Sequence, residues 1–144
     1  MSNQFDFKRF HDAQAPVIDT VLAELRAGRK RTHWMWYVFP QLAALGRSAT
    51  AKQYGITGLD EAHAYMDDPV LGQRLVECAT GMLAIPDKSL NTILGSPDDL
   101  KFVSSMTLFA TAVPTQPVFR ACLDKYCNGQ MDPLTMDYLN HKAK

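Results

Sequence analysis

The sequence has no excess of charge of either sign. Its 15 lysines and arginines equal its 15 aspartates and glutamates over 144 residues, so the formal net charge is zero. Proteins that bind nucleic acids usually have a high pI or a dense basic stripe. Here the basic residues concentrate only at Arg29-Lys30-Arg31, in a mildly positive first third of the chain. Nucleic-acid binding is therefore the least favoured class of function.

Cysteines are few and long apolar runs are missing. The sequence has three cysteines, Cys78, Cys122 and Cys127. Their odd number argues against a disulfide framework, and we interpret them as buried thiols. The apolar stretch from Trp34 to Leu45 is shorter than the roughly 20 residues that cross a bilayer. The N-terminus has none of the features of a secretory signal. We expect a cytoplasmic protein without a membrane span.

Common catalytic and cofactor motifs are missing as well. The sequence contains no P-loop, no dinucleotide-binding glycine motif, no His-Glu-x-x-His and no paired Cys-x-x-Cys. It also lacks the Gly-x-Ser-x-Gly and Ser-x-x-Lys motifs of known nucleophiles. Its four histidines lie far apart. We predict neither a metal site nor a cofactor, and the sequence does not decide whether the protein is an enzyme.

Helix signals recur along the chain, whereas the period-2 alternation of strands is nearly absent. With 47% hydrophobic residues, the chain is expected to bury a packed core. We predict an all-α fold, a compact single domain over residues 1–144 with about six to eight helices, several of them short. Residues 1–4 and 142–144 are expected to fray. The helices are predicted at 16–27, 48–54, 61–67, 69–85, 89–95, 96–112, 115–127 and 132–141.

The most unusual stretch is residues 29–41, the aromatic-basic segment, which places three cations beside both tryptophans. One interpretation is structural, with the aromatics in the core and the cations in a solvated connection. The alternative is a pocket with a cationic rim for an anionic or planar ligand. If the segment is helical, His33 shares a face with Trp36, and imidazole suits acid–base chemistry near neutral pH. The candidate binding residues are Arg31, Trp34, Trp36 and Gln41.

A second polar cluster lies in residues 96–109, the hydroxyl-rich segment. On a helix, Asp98, Lys101 and Ser105 fall on one face. A structural interpretation is an Asp–Lys surface pair with ordinary helix serines. The alternative is a polar cleft lined by Lys101 and Ser105, with Asp98 orienting the lysine. Ser104 and Thr107 add hydroxyls that helix stability alone does not favour.

A third feature is the turn Gly46-Arg47-Ser48. Arg47 and the helix-capping Ser48 are suited to hold a phosphate at a helix start. An ordinary turn explains the same residues, so both interpretations stay open.

Three stretches together resemble a known family: HWMWYVFPQLAALGRS, DEAHAYMDDPVLGQRL and SPDDLKFVSSMTLF. The chain is similar, from Phe5 to about Leu139, to a bacterial family of uncharacterised small domains, some of which carry the genome label calpastatin. The resemblance implies a compact arrangement of helices and carries over no catalytic residue. Calpastatin itself is a long, disordered, repeat-bearing inhibitor, so the label does not suit a short chain with enough apolar residues to fold.

The leading functional hypothesis is a pocket where residues 33–41 meet residues 96–109. It would bind a small anionic metabolite or nucleotide-like ligand, with catalysis undecided. Lys101 and Arg47 would contact negative charge and a tryptophan would stack on the ligand. His33, Lys101 and Ser105 are the catalytic candidates. The alternative is a protein-interaction module that uses an aromatic and basic surface patch.

Overall fold

The computed structural model describes residues 5–142, which fold into ten α-helices and one short 3₁₀ helix without a β-strand. The predicted all-α class is confirmed. The expected fraying of residues 1–4, 143 and 144 concerns positions outside this range, whereas the backbone of Lys142 belongs to the last helix. No helix within the range is long and apolar enough to cross a bilayer. In chain order the elements are α1 (Lys8–Gln14), α2 (Ile18–Ala27), α3 (Met35–Val38), the 3₁₀ helix (Ala43–Leu45), α4 (Ala49–Gln53), α5 (Leu59–Asp67), α6 (Leu71–Ala84), α7 (Leu90–Leu94), α8 (Asp98–Ala112), α9 (Pro117–Cys127) and α10 (Pro133–Lys142).

The prediction of six to eight helices is wrong, because α1 and α3 form without the usual start signals. Neither of their N-cap residues, Phe7 and Trp34, makes a side-chain capping hydrogen bond. Helix α3 is a single turn that buries Met35 and Val38. Helices this short are not stable on local propensity, so core packing holds α3 in place.

Several helix ends lie where the sequence predicts them. The hydroxyls of Ser48 and Ser89 accept hydrogen bonds from backbone N–H groups of α4 and α7, at 3.0 and 3.2 Å. Helix α2 ends at Gly28, with φ of 75°, and α9 ends at Asn128, with φ of 53°. Glycine and asparagine adopt this left-handed conformation more readily than other residues.

Two helices begin later than the proline pattern predicts. Helix α6 starts at Leu71 and not at Pro69, because the Asp68 carboxylate accepts hydrogen bonds from Val70 N–H and Leu71 N–H, both at 3.0 Å. Proline therefore belongs to the turn before the helix. Helix α2 likewise begins two residues after its proline, at Ile18 and not at Pro16.

Helix α8 lies at the centre of the molecule and packs against α5, α7, α9 and α10. Its residues Phe102, Met106 and Phe109 are at most 1% exposed. The Phe102 ring meets Phe39 edge-on with 4.9 Å between centroids, and Phe109 lies 5.7 Å from Phe119. Such aromatic pairs stabilise a core beyond the area that they bury.

The buried carboxylate of Glu24, 7% exposed, organises the aromatic-basic segment. It accepts hydrogen bonds from Arg31 N–H at 2.7 Å, from Thr32 N–H at 3.1 Å and from the Trp34 indole N–H at 3.0 Å. The Thr32 hydroxyl adds a fourth bond at 2.7 Å. Burial by itself raises the pKa of Glu24, but these hydrogen bonds outweigh it and lower the pKa to about 2.

An ion pair connects the aromatic-basic segment to the start of α8. Lys30 Nζ lies 3.0 Å from Asp98 Oδ2, and the two side chains are only 8% and 18% exposed. The same ammonium is 5.3 Å from the centroid of the Trp34 ring. Lys30 N–H also donates to Ile93 O at 2.8 Å. These contacts bring the aromatic-basic and hydroxyl-rich segments together.

Candidate functional site

A cleft of about 650 Å³ lies where the two segments meet, and we call it the Trp36 cleft. One wall comes from α3, the 3₁₀ helix and α4, and the other from the start of α8 and of α10. Six residues selected from the sequence line it: Trp36, Gln41, Arg47, Ser48, Lys101 and Ser104. Their convergence is a structural finding, whereas their functional roles stay predictions.

The first wall is held by a short backbone bridge between Leu42 and Ile56. Ala43 N–H donates to Ile56 O at 2.9 Å, and Ile56 N–H donates to Gln41 O at 2.7 Å. A side chain at Gly55 would place its Cβ 2.4 Å from Ala43 Cα, so only glycine allows this approach. The bridge thereby fixes the loop that carries Gln41 into the cleft.

The opposite wall contains a carboxylate, Asp132, that the sequence analysis did not select. Its Oδ2 accepts hydrogen bonds from Ser104 Oγ at 3.1 Å and from Thr135 N–H at 3.0 Å, and also from the Thr135 hydroxyl. Its backbone N–H donates to Thr107 Oγ1 at 2.8 Å. Its Oδ1 has no hydrogen-bond partner among residues 5–142. Asp132 precedes Pro133 and looks in sequence like a helix cap only, so its place in the cleft was missed.

Lys101 combines an aromatic and an ionic contact. Its Nζ lies 5.0 Å from the centroid of the Trp36 ring and 3.7 Å from Asp98 Oδ1. The other Asp98 oxygen is engaged by Lys30 at 3.0 Å, so one carboxylate serves two ammonium groups. Arg47 is exposed and has no ion-pair partner in the described part of the chain. The cleft therefore presents two cations, of which neither is fully neutralised.

Three predicted residues of the aromatic-basic segment lie elsewhere. Helix α3 begins only at Met35, so His33 precedes it, and the helical face that His33 was expected to share with Trp36 does not exist. His33 and Arg31 are exposed and do not line the cleft. Trp34 is 1% exposed with its indole N–H bonded to Glu24. It is a core residue and has no free face for stacking.

In the hydroxyl-rich segment, Ser105 and Thr107 are both 0% exposed and do not line the cleft. Thr107 Oγ1 donates to Val103 O at 2.8 Å, whereas Ser105 Oγ is buried without a partner. Beyond its first turns α8 is surrounded by other helices, which covers these hydroxyls. The cleft thus brings Lys101 together with neither His33 nor Ser105. Asp98 does not line the cleft and lies 3.7 Å from the Lys101 ammonium, which does.

Two large apolar side chains stand at the edge of the Trp36 cleft. Leu100 on α8 is 66% exposed and Leu134 on α10 is 63% exposed. Both belong to the lining of the cleft. Exposed leucines are common singly, but a pair beside a tryptophan in one concavity is typical of a binding surface.

A second groove, of about 890 Å³, runs between α2 and α6. It is the larger of the two, yet its lining contains none of the residues selected from the sequence. Leu22, Leu25 and Val76 make it mainly apolar, and the Lys88 ammonium at its end is held by Gly28 O at 3.1 Å. Because the Trp36 cleft combines free charge with aromatic surface, we consider it the better candidate site.

Comparison with known proteins agrees with the resemblance seen in the sequence. The profile of a family described as protein of unknown function (DUF1810) matches residues 4–139. The chain belongs to the DUF1810 family. A solved structure, the crystal structure of the conserved hypothetical protein Rv1873 from Mycobacterium tuberculosis, is 51% identical in sequence with a TM-score of 0.94. The similarity covers 96% of this chain and 99% of that chain. No curated protein matches the chain significantly.

The TM-score of 0.94 supports the helical architecture, whereas the family description assigns no residue a role. In this DUF1810 chain the cysteines are free thiols, and burial raises the pKa of Cys78 and Cys122 to about 12. Residues 5–142 contain no group of three or more His, Cys, Asp or Glu arranged to hold a metal ion. The chemistry of the Trp36 cleft therefore has to be argued from its own side chains.

Proposed function

We propose that the Trp36 cleft binds a small anionic ligand with a flat apolar part, as in a nucleotide. The observation that carries the proposal is the Lys101 ammonium, 5.0 Å from the Trp36 ring centroid, in the same cleft that Arg47 lines. A cation and an aromatic surface side by side match a ligand that has both an anionic group and a ring. The proposal concerns binding and includes no catalytic step.

The charge balance around Lys101 supports an anionic ligand. Asp98 is shared between Lys30 at 3.0 Å and Lys101 at 3.7 Å, so the closer ion pair is the one outside the cleft. Lys101 keeps most of its ability to attract an anion. Arg47 adds a guanidinium, which binds phosphate or carboxylate through two parallel hydrogen bonds.

The size of the cleft supports a ligand larger than a simple ion. Its volume of about 650 Å³ falls within the range of about 300–1,000 Å³ that is usual for small-molecule sites. Trp36, Tyr54 and Leu45 contribute apolar lining next to the polar groups. A free phosphate would leave this surface wet, whereas a nucleotide would cover it.

Binding of AMP, measured by calorimetry and by thermal shift, tests the proposal. We expect saturable binding, and Arg47→Ala and Lys101→Ala should each weaken it about tenfold or more, as is usual for a lost charged hydrogen bond. Arg120→Ala is the matched control, because Arg120 is an exposed arginine on α9 outside the cleft. The proposal is wrong if no phosphate-bearing compound binds, or if Arg47→Ala and Arg120→Ala behave alike.

The exposed leucines favour a second candidate, a docking site for another protein. Leu100 and Leu134 sit beside Trp36 and Arg47, and tryptophan and arginine dominate binding energy at protein interfaces. The double variant Leu100→Asp/Leu134→Asp separates the two functions. Association of the wild type with a protein partner in pull-down experiments that is lost in the double variant, together with no AMP binding by the wild type, would favour docking over ligand binding.

A further inference from the structure

Resting on the function proposed above, we infer that the ligand of the Trp36 cleft is a nucleotide whose base carries an exocyclic amino group, and that this N–H edge meets Asp132. The function proposed above includes a ring beside Trp36 and an anion bound by Arg47 and Lys101. The inference adds a hydrogen bond from the base to Asp132. It assigns a ligand-binding role to a carboxylate that otherwise looks like a helix cap.

Asp132 is held rigidly with one oxygen left over. Its Oδ2 receives Ser104 Oγ at 3.1 Å, Thr135 N–H at 3.0 Å and the Thr135 hydroxyl. Its backbone is anchored to Thr107 Oγ1 at 2.8 Å. Within the described residues Oδ1 accepts no hydrogen bond, although Asp132 lines the cleft. A fixed carboxylate with a single open acceptor oxygen is suited to an N–H donor of a ligand.

The placement of Asp132 also disfavours a ligand that is only an anion. The cleft contains Arg47 and Lys101 but also this carboxylate, which repels a phosphate that approaches it. A molecule with its anion at the two cations and N–H groups at Asp132 satisfies all three. Arg47, Lys101 and Asp132 would then each have a partner of opposite charge or polarity, and no charged group would stay unpaired in the partly dry cleft.

The apolar lining distinguishes a nucleobase from a smaller amino compound. Besides the cations and Asp132, the lining of the cleft includes Trp36, Leu100 and Leu134, around a space of about 650 Å³. An aliphatic amine with an acidic group would leave much of this lining in water. A flat aromatic ring with an amino substituent covers the lining and carries the donor to Asp132.

The test compares AMP, GMP and CMP with ribose 5-phosphate, which has the phosphate and sugar but no base. At least one of these nucleotides should bind about tenfold more tightly than ribose 5-phosphate, the usual size of a good charged hydrogen bond. Asp132→Asn should weaken binding of that nucleotide about tenfold and leave ribose 5-phosphate binding within about twofold, because asparagine caps helices as well as aspartate does. If the asparagine variant does not fold, Asp132→Ser is used in its place, because serine also caps helices.

The outcomes separate this inference from the function on which it rests. If nucleotides and ribose 5-phosphate bind equally and Arg47→Ala weakens both, the amino-base inference is wrong and the anion site stands. If Asp132→Asn leaves the affinity for the preferred nucleotide unchanged, the role of Asp132 is refuted. If none of the four compounds binds, both the inference and the proposed function are overturned.

Discussion

The replacement Glu24→Gln tests how strongly one buried charge holds the aromatic-basic segment. Glutamine has nearly the same shape, and its amide oxygen can accept the hydrogen bonds from Arg31 N–H, Thr32 N–H and the Trp34 indole. Its NH₂ group then faces the Thr32 hydroxyl, which can turn and act as an acceptor. The change therefore removes the negative charge and leaves the packing in place.

The magnitude follows from the pKa of Glu24, which the fold lowers from 4.5 to about 2. One pKa unit corresponds to about 1.4 kcal/mol, so the charged carboxylate contributes at most about 3 kcal/mol to folding. Arg31 and Thr32 are exposed, and solvent screening reduces the gain. We expect Glu24→Gln to lower the free energy of unfolding at pH 7 by about 1–2 kcal/mol.

The pH dependence gives the sharper test. The folded-state pKa lies below the unfolded value, so the stabilisation by Glu24 is fully present above about pH 4.5 and is lost as the pH falls towards 2. Urea unfolding at pH 7 and pH 3, followed by tryptophan fluorescence, should show the wild-type and Glu24→Gln stabilities converging at the lower pH. Glu77→Gln, at an exposed glutamate on α6, should match the wild type at both pH values. A difference between wild type and Glu24→Gln that is absent at pH 7, or unchanged at pH 3, would refute the reasoning.

Three other changes test the packing of the core. Gly72→Ala should destabilise the protein by about 1–3 kcal/mol in urea unfolding, because its Cβ would lie 2.2 Å from Met66 O. Gly81→Ala on the same helix, whose Cβ would lie an ordinary 3.5 Å from Leu25 Cβ, should be neutral or stabilising. Ser105→Ala should leave stability unchanged or raise it by up to about 1 kcal/mol, because it removes a buried hydroxyl without a partner; a loss of stability would reveal a hydrogen bond that this geometry lacks. In the folded protein at pH 8, a thiol reagent should modify Cys127 well before the buried Cys78 and Cys122. Cys127→Ser should then eliminate the fast reaction, and fast labelling of either buried thiol would contradict the structure.

Local signals in the sequence predicted the helices that have caps or strong amphipathic stripes. Ser48, Ser89, Gly28 and Asn128 act within one helix turn of their own position, so their effect can be recognised without a structure. Helix α3 could not be recognised, because its single turn depends on core packing around Met35 and Val38. His33 would share a face with Trp36 only if it were helical, and it precedes the first residue of α3, Met35.

The candidate site was predicted only in part. Trp36 and Lys101 attracted attention by residue type, and they do meet, at 5.0 Å. Ser105 has the same helical spacing relative to Lys101 that was expected, yet it is buried, because other helices pack around α8 beyond its first turns. Helical periodicity shows which residues share a face but not how much of that face a neighbour covers.

The sequence by itself determined that this chain is all-α and where its capped helices begin and end, because those features depend on residues a few positions apart. Only the tertiary structure decided which polar groups share the Trp36 cleft. Asp132 joins Ser104, 28 positions away, through a hydrogen bond that no local pattern predicts. Lys30 likewise forms an ion pair with Asp98, although α3 to α7 lie between them in the chain. Contacts between distant segments depend on how helices pack against one another, and spacing along the chain does not contain that information.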